Sequence, residues 1–282
     1  MAPFHAMILL PGRPACARFS AMHQPTNRHA WLQGGDAHCD RPPNNPRLPR
    51  RVVLLGAPGV GKGTQAAMLG EAVGACCLST GDLFRTLRSR CQQGKPDAEL
   101  SGPMREALEC MARGELVHDR TVIGLVYERS KCLACGGGFL LDGFPRTVNQ
   151  AWALDGMLAE QRIRLDAVIN YDLPDGELIA RLSGRRVCPK CKAVYHLRFK
   201  PPAHEGTCNA CRTGLEQRED DRPEAIRVRL VLYRESIVAL LRYYRQQDLL
   251  VTVSAEGSPE QVFMRTVAVF SPESTFPREA PP

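Results

Sequence analysis

Residues 56 to 65 read Gly-Ala-Pro-Gly-Val-Gly-Lys-Gly-Thr-Gln, a Gly-x4-Gly-Lys pattern between the apolar run Val52-Val53-Leu54-Leu55 and the helix-forming run Ala66-Ala67-Met68-Leu69. At this spacing backbone N–H groups and a helix N-terminus converge on anionic oxygens, and the lysine adds a mobile positive charge; the chemistry offered is the binding of a phosphate chain. Average composition produces Gly-x4-Gly-Lys in a chain this long roughly one time in ten, so the strand-like and helix-like flanks must separate it from an ordinary glycine-rich turn. Gly63, not Ser or Thr, follows the lysine, and the hydroxyl comes one place later at Thr64, which weakens the expectation of direct metal ligation there.

A second set of reactive residues is Cys188-Pro-Lys-Cys191 and Cys208-Asn-Ala-Cys211, two C-x2-C pairs with sixteen residues between them. This spacing suits a four-thiolate structural zinc site, in which two tight knuckles each give two sulfurs to one tetrahedral ion. The alternatives are four free thiols in a reducing compartment or, less in keeping with a chain showing no sign of secretion, disulfides. A closed four-sulfur shell leaves no open position, so such a metal would fold its segment and not catalyse. Cys132 and Cys135 also form a C-x2-C pair, but with twelve cysteines in 282 residues a single pair carries little weight.

The third set is arginine. Thr80 to Arg85 (TGDLFR), Asp142 to Ala151 (DGFPRTVNQA), Arg181 to Arg186 (RLSGRR) and Arg218 to Arg229 (REDDRPEAIRVR) place guanidinium groups beside glycine turns or at the edges of the cysteine segment. Any one of them could be a solvated surface charge. Together they suggest a second anion site facing the phosphate loop, since a planar guanidinium pairs bidentately with phosphate oxygens.

Elements able to position these residues are legible in the hydrophobic pattern. Strands are expected at 52–56, 75–78, 139–142, 167–172 and 249–253, separated by helical stretches of which 223–247 is the clearest, with Ile226, Leu230, Ile237, Leu240 and Leu241 at helical spacing. Such alternation predicts an α/β fold with a parallel sheet and helices on both faces, and ligands in those sheets bind beyond the carboxyl ends of the strands. From about 185 to 222 the rhythm stops and the four cysteines take its place.

With these motifs in this order, the segment from Arg51 to about Val269 resembles the adenylate kinases, in their long form with a zinc-bearing lid. GAPGVGKGTQ matches that family's phosphate loop, TGDLFR and DGFPRTVNQ its monophosphate site, and the cysteine segment with Tyr195-His196 and Gln217-Arg218-x-Asp220-Asp221 its lid. The resemblance implies a P-loop nucleoside monophosphate kinase fold with a five-stranded parallel sheet and a zinc-ribbon-like lid insertion. It implies a core at 51–184 and 223–270, an AMP-binding segment at about 80–113 and a lid at 185–222. The implied activity is reversible transfer of the terminal phosphoryl group of ATP to AMP, with Mg²⁺ accompanying ATP and Zn²⁺ in the lid.

The implied roles fall residue by residue. Lys62 would hold the β- and γ-phosphates, with Gly59, Gly61, Gly63 and Thr64 in the loop contacts. Arg85 and Arg146 would grip the AMP phosphate; Thr80, Gln150 and backbone near Gly143 would face its adenine. Arg181, Arg185, Arg218 and Arg229 would surround the phosphoryl group in transit, Arg181 and Arg185 on the ATP side and Arg218 and Arg229 on the AMP side. Asp142 would position the waters of Mg²⁺; Asp82 would sit beside the AMP site and Asp220 and Asp221 would orient lid arginines, though all three could equally be structural. Cys188, Cys191, Cys208 and Cys211 would hold the zinc.

Charge and composition bound the rest. The formal charge is +7, of which six arginines against Asp36 and Asp40 put +4 in residues 1–50, leaving +3 for the other 232, so no extended basic surface is required. Eight prolines and little periodicity predict disorder for 1–50, and the tail 271–282, with four prolines, reads the same way. The N-terminal segment is arginine-rich like an organellar transit peptide, though its prolines oppose an amphipathic helix; a start assigned too far upstream explains it equally well. Its run Ala6 to Leu10 is too short for a signal-peptide core or a membrane span. The expectation is therefore a cytoplasmic monomer with no membrane or nucleic-acid partner. A kinase of UMP or CMP, or one using GTP, shares the loop and the GFPR stretch, and a nucleotide switch with a zinc-ribbon nucleic-acid module is the more distant alternative.

Overall fold

The computed structural model describes residues 29–33, 48–92 and 100–270. Its main sheet has five parallel strands, β1 (Arg51–Gly56), β2 (Cys76–Ser79), β3 (Phe139–Asp142), β4 (Ala167–Asp172) and β7 (Leu250–Ser254), in the order β2-β3-β1-β4-β7. All five expected strands are present, within a residue of the expected bounds. Between and after them run α2 (Lys62–Val73), α3 (Thr80–Gln92), α4 (Gly102–Ala112), α5 (Asp119–Tyr127), α6 (Val148–Glu160), α7 (Asp175–Ser183), α8 (Pro223–Arg245) and α9 (Pro259–Ala268).

The apolar runs are nearly continuous because the sheet is covered on both faces. Alternate residues of β1 show this directly: Val53 and Leu55 enter one core cluster with Phe139, Leu141, Leu154 and Leu240, whereas Val52 and Leu54 enter the other with Leu69, Leu140 and Ile169. Each such side chain, taken fully out of water, contributes about 1.5–3 kcal/mol. A smaller third cluster, Leu83 and Leu87 of α3, Leu100 just before α4, Met104 and Ala107 of α4, and Leu125 of α5, gives the segment after β2 an apolar core of its own.

Parallel pairing puts the carboxyl ends of the strands on one edge. Leu54 of β1 and Ser79 of β2 are both in register with Asp142 of β3, and Gly56 is in register with Tyr171 of β4. The phosphate loop, Thr80 and Asp142 therefore emerge side by side. The chain leaves β1 toward β2 on one flank and later adds β4 on the other, the switch point at which such sheets open a crevice.

The stretch 185–222 contains a two-stranded antiparallel sheet, β5 (Arg185–Val187) and β6 (Val194–His196), and a short 3-10 helix at Glu219–Asp221. Neither was evident in the sequence, where each is three residues long. Within 1–50, where the composition predicts mostly disorder, His29–Gln33 forms a helix, α1, with Trp31 only 1% exposed. A single aromatic in a proline-rich background leaves no periodicity to read, yet its burial is enough to dock a turn of helix. The tail expected at 271–282 lies outside the described residues. No helix among the described residues is long and apolar enough to cross a membrane.

Candidate active site and metal centre

The loop between β1 and α2 turns on residues whose backbone is left-handed. Gly61 caps α2 at φ 105° and faces open space, so a side chain there would be strained by the backbone angle and not by a neighbour. Thr64 and Gln65 N–H groups both donate to the Gly61 carbonyl at 3.0 Å, which starts the helix and aims its first N–H groups back at the loop. Lys62 Nζ donates to the carbonyls of Gly56 (2.6 Å) and Ala57 (3.1 Å), so the ammonium lies across the loop mouth. The surrounding walls desolvate it. Burial, opposed by the nearby Asp142 carboxylate and reinforced by Arg146, Arg229 and Arg185, pulls Lys62 down to about 8.

Asp142 ends β3 directly across from this loop; a Cβ added at Gly63 would lie 3.9 Å from its Oδ2. The next turn carries the second half of the site. Thr80 Oγ1 donates to the Gly143 carbonyl at 2.9 Å, and Arg146 Nε donates to the same carbonyl at 2.9 Å. Gly143 has φ +84°, and a Cβ there would fall 2.7 Å from Thr80 Oγ1, so only glycine lets β2 and β3 ends close this tightly. Arg85 Nη2 donates to Asp82 Oδ1 at 2.5 Å from the first turns of α3.

The cysteine segment and the start of α8 bring further guanidinium groups to the crevice. Arg185 forms a two-pronged pair with Asp221, Nε to Oδ2 at 2.7 Å and Nη2 to Oδ1 at 2.5 Å, and the Asp221 carboxylate is fully buried. Arg229 Nη1 donates to Asp220 at its carbonyl (2.9 Å) and its Oδ2 (2.9 Å). Asp220 and Asp221 thus orient arginines, as one of the two readings of the sequence had it. Arg218 is pulled down to about 10, first by burial and then by the repulsion of Arg185 and Arg85. Arg146 and Arg229 are likewise held below the usual arginine range, mainly by burial, with Arg85 among their repelling neighbours. Arg146 keeps an exposed surface at the crevice, yet the protein around it excludes much of the bulk solvent that would otherwise stabilise its charge.

These mutual repulsions put Lys62, Arg85, Arg146, Arg185, Arg218 and Arg229 in one electrostatic field, although they come from five separate sequence stretches. Cations held this close, with Asp142 among them, make a site for a strongly anionic ligand. Arg181 stands apart. Its Nη1 donates to the Val60 carbonyl at 3.3 Å and its Nη2 to the Ala255 carbonyl at 2.9 Å, so it ties the phosphate loop to the turn after β7. Gln150 is also more engaged than expected: its Oε1 accepts from the Arg146 N–H at 2.8 Å and its Nε2 donates to Asp119 Oδ1 at 2.7 Å. Asp119 accepts from Thr147 Oγ1 as well, at 2.5 Å, and so anchors the whole start of α6. Nothing in the sequence singled out Asp119, a lone acid in a short helix.

In the cysteine segment the Sγ atoms of Cys188, Cys191, Cys208 and Cys211 all lie within 4.8 Å of one another, the one group of metal-competent side chains among the described residues. Four sulfurs about 2.3 Å from a tetrahedral ion sit about 3.8 Å apart, so the cluster fits zinc. The knuckles repeat one design. Lys192 N–H bonds the Cys188 carbonyl and Arg212 N–H the Cys208 carbonyl, both at left-handed residues (φ 61° and 59°). The Tyr195 hydroxyl accepts from Asn209 N–H at 2.8 Å and lies 3.4 Å from Cys208 Sγ, and its hydrogen bond is the first cause that pulls that thiol down to about 6. Cys132 and Cys135 are elsewhere, buried in the main core, with Cys135 Sγ 3.8 Å from Cys76 Sγ.

Comparison with known proteins agrees with this geometry. Residues 54–249 match the family model described as adenylate kinase. The chain is 46% identical over 218 residues to the adenylate kinase of Gloeobacter violaceus, covering 76% of this chain and 95% of that one. It is 45% identical over 219 residues to that of Thermodesulfovibrio yellowstonii (78% and 98%), and 48% over 214 residues to that of Moorella thermoacetica (76% and 94%).

Proposed function

This chain belongs to the adenylate kinase family, and from that premise we propose that it transfers the terminal phosphoryl group of ATP reversibly to AMP, giving two ADP. The observation that carries the reading is the convergence of Lys62, Arg85, Arg146, Arg185, Arg218 and Arg229 at the carboxyl ends of β1 and β3. Six cations exceed what one phosphate chain needs and suit two nucleotides meeting phosphate to phosphate.

In this reading the loop N–H groups and Lys62 hold the β- and γ-phosphates of ATP, and Arg85 and Arg146 hold the phosphate of AMP. Arg185, Arg218 and Arg229 stabilise the charge spread over the phosphoryl group in flight. Asp142, an oxygen donor at the loop, suits the hydration shell of Mg²⁺, which when bound neutralises charge shared by the β- and γ-oxygens. Phosphoryl transfer asks little covalent work of the protein, so in-line positioning and charge stabilisation suffice and no general base is assigned. Arg181 acts differently from the other arginines here, fixing the loop against the 255–257 turn on the ATP side. Thr80 and the Gly143 turn set the acceptor base, with Gln150 held in place by Asp119. Zinc at Cys188, Cys191, Cys208 and Cys211 keeps the lid folded so that its arginines meet the phosphates with water shut out.

The same reading makes the protein a cytoplasmic monomer, since Lys62 and five arginines of one chain suffice for both nucleotides without a residue from a partner. The test is to mix ATP, Mg²⁺ and AMP and follow ADP. Formation dependent on AMP is expected, with UMP and CMP far poorer acceptors and GTP a poorer donor. Equal kcat/KM for AMP and UMP would overturn the acceptor assignment.

A further inference from the structure

Trp31 lies before the segment shared with the family, yet it is among the most deeply buried side chains described and belongs to the core cluster that includes Cys76, Leu78, Leu133 and Phe139. Two hydrogen bonds fix it. Its indole Nε1 donates to the Ser79 carbonyl at 3.0 Å, and its own carbonyl accepts from Arg129 Nε at 2.7 Å. Arg129 is itself buried, with Nη1 bonded to the Leu125 carbonyl at 2.8 Å, so part of a buried guanidinium's hydrogen bonding is completed by α1.

Ser79 occupies the critical corner. It ends β2, the edge strand of the sheet, and its Oγ accepts from the Asp82 N–H at 3.3 Å, while the Asp82 carboxylate holds Arg85. The next residue, Thr80, bonds Gly143, whose carbonyl also holds Arg146. Both arginines assigned to the monophosphate are therefore two hydrogen bonds from the Ser79–Thr80 corner whose carbonyl the indole grips. We propose that Trp31 is a positioning residue for the acceptor site: α1 is a strap that fixes the β2–α3 corner from behind and so sets the affinity for the nucleoside monophosphate. The proposal rests on the assignment of Thr80, Arg85 and Arg146 to AMP. It assigns α1 a role in acceptor binding and none in ATP binding, because the two Trp31 bonds reach Ser79 and Arg129 and not the phosphate loop.

Trp31→Phe in the full chain keeps an aromatic ring in the core and removes only the N–H donor. The net value of one such bond corresponds to about two- to tenfold. The expected result is a KM for AMP raised by that factor, with KM for ATP and kcat within twofold and the melting temperature nearly unchanged. Hydrogen–deuterium exchange should quicken at residues 79–83 and not at 61–66, a reading independent of turnover. Trp31→Ala, which releases the strap, should raise the AMP KM further and also lower the melting temperature. Unchanged AMP KM and unchanged exchange at 79–83 in both variants would overturn the strap, as would equal rises in both KM values. The parent protein assayed alongside separates the two levels: a parent that makes no ADP from AMP overturns the phosphotransfer reading and the strap with it, whereas an active parent with indifferent variants overturns the strap alone.

Discussion

Lys62 is the residue on which the site's charge balance is most visible. It is a lysine pulled down to about 8 chiefly by loss of solvent, with one carboxylate, Asp142, as its favourable neighbour and three arginines against it. On the proposed assignment, removing it, or Arg146, takes away a charge aimed at phosphate oxygens, and one preorganised donor is commonly worth about 3 kcal/mol, roughly a hundredfold or more in rate. Lys62→Ala and Arg146→Ala should each lower AMP-dependent turnover by at least that factor with melting curves close to the parent's; near-normal turnover in either would remove that residue from the mechanism. The depressed value also predicts a pH effect. Between pH 8 and 10.5 the unfolded chain keeps the Lys62 proton and the folded one has lost it, so this group's contribution makes the ligand-free fold gain stability as pH rises through that window; below pH 8 the cost of the buried charge is fully present. Bound phosphates would raise the value again, so ATP binding above pH 8 should take up a proton and weaken as pH climbs. Calorimetry at pH 8.5 in two buffers of different ionisation enthalpy measures the uptake, and identical apparent enthalpies in the two, matched by Lys62→Met, would refute it. The lysine and the arginines were legible in the sequence because glycine turns and paired motifs flank them. Asp119 and Trp31 were not, because their importance comes from partners 28 to 98 residues away, which spacing along the chain does not encode.

At the scale of elements, strands were easy to find because a sheet covered on both faces needs nearly unbroken apolar runs, and α8 because one of its faces is buried at Ile226, Leu230, Ile237 and Leu240. The lid strands gave no signal, since β5 and β6 have three residues each and their shared core is little more than Cys188, Tyr195 and Cys208. An element with so few apolar contacts does not by itself offset the entropy of ordering about forty residues, so a zinc held by the four cysteines, as proposed, would supply what packing does not. One zinc per chain is expected in protein prepared without chelators. Cys191→Ser, or chelation, should lower the melting temperature by roughly 5–10 °C, equivalent to 2–3 kcal/mol at about 2–4 °C each, while activity persists at low temperature because the four thiolates do not touch the phosphates. Metal analysis showing no zinc would contradict the assignment, and so would abolished turnover under conditions where the lid stays folded.

Across the whole molecule, the fold spends stability to keep its crevice charged. The hydrophobic clusters on the two faces of the sheet and the docked α1 hold strand ends together, and those ends carry cations that repel one another when nothing anionic lies between them. Arg218 shows this best. Burial and the charges of Arg185 and Arg85 depress it to about 10 in spite of Asp220 and Asp221 nearby, which means that its charged form is less favourable in the fold than in the unfolded chain. A residue that weakens the structure around it while completing a positive cluster is the pattern expected where stability has been exchanged for activity. Replacing it by an uncharged side chain of similar reach should therefore move stability and catalysis in opposite directions. Arg218→Met is expected to raise the melting temperature of the ligand-free protein by about 2–4 °C, equivalent to roughly 1 kcal/mol in a domain of this size. Its turnover should fall by about two orders of magnitude, through loss of one charge at the transferring phosphoryl group. Nucleotides should also stabilise the variant less than the parent, because the ligand's charge is worth most where repulsion is greatest. The decisive measurement is the pair of melting curves without and with ATP and AMP. If Arg218→Met melts lower than the parent in the absence of nucleotide, the guanidinium is a structural tie of the lid and not a charge held in reserve for the reaction.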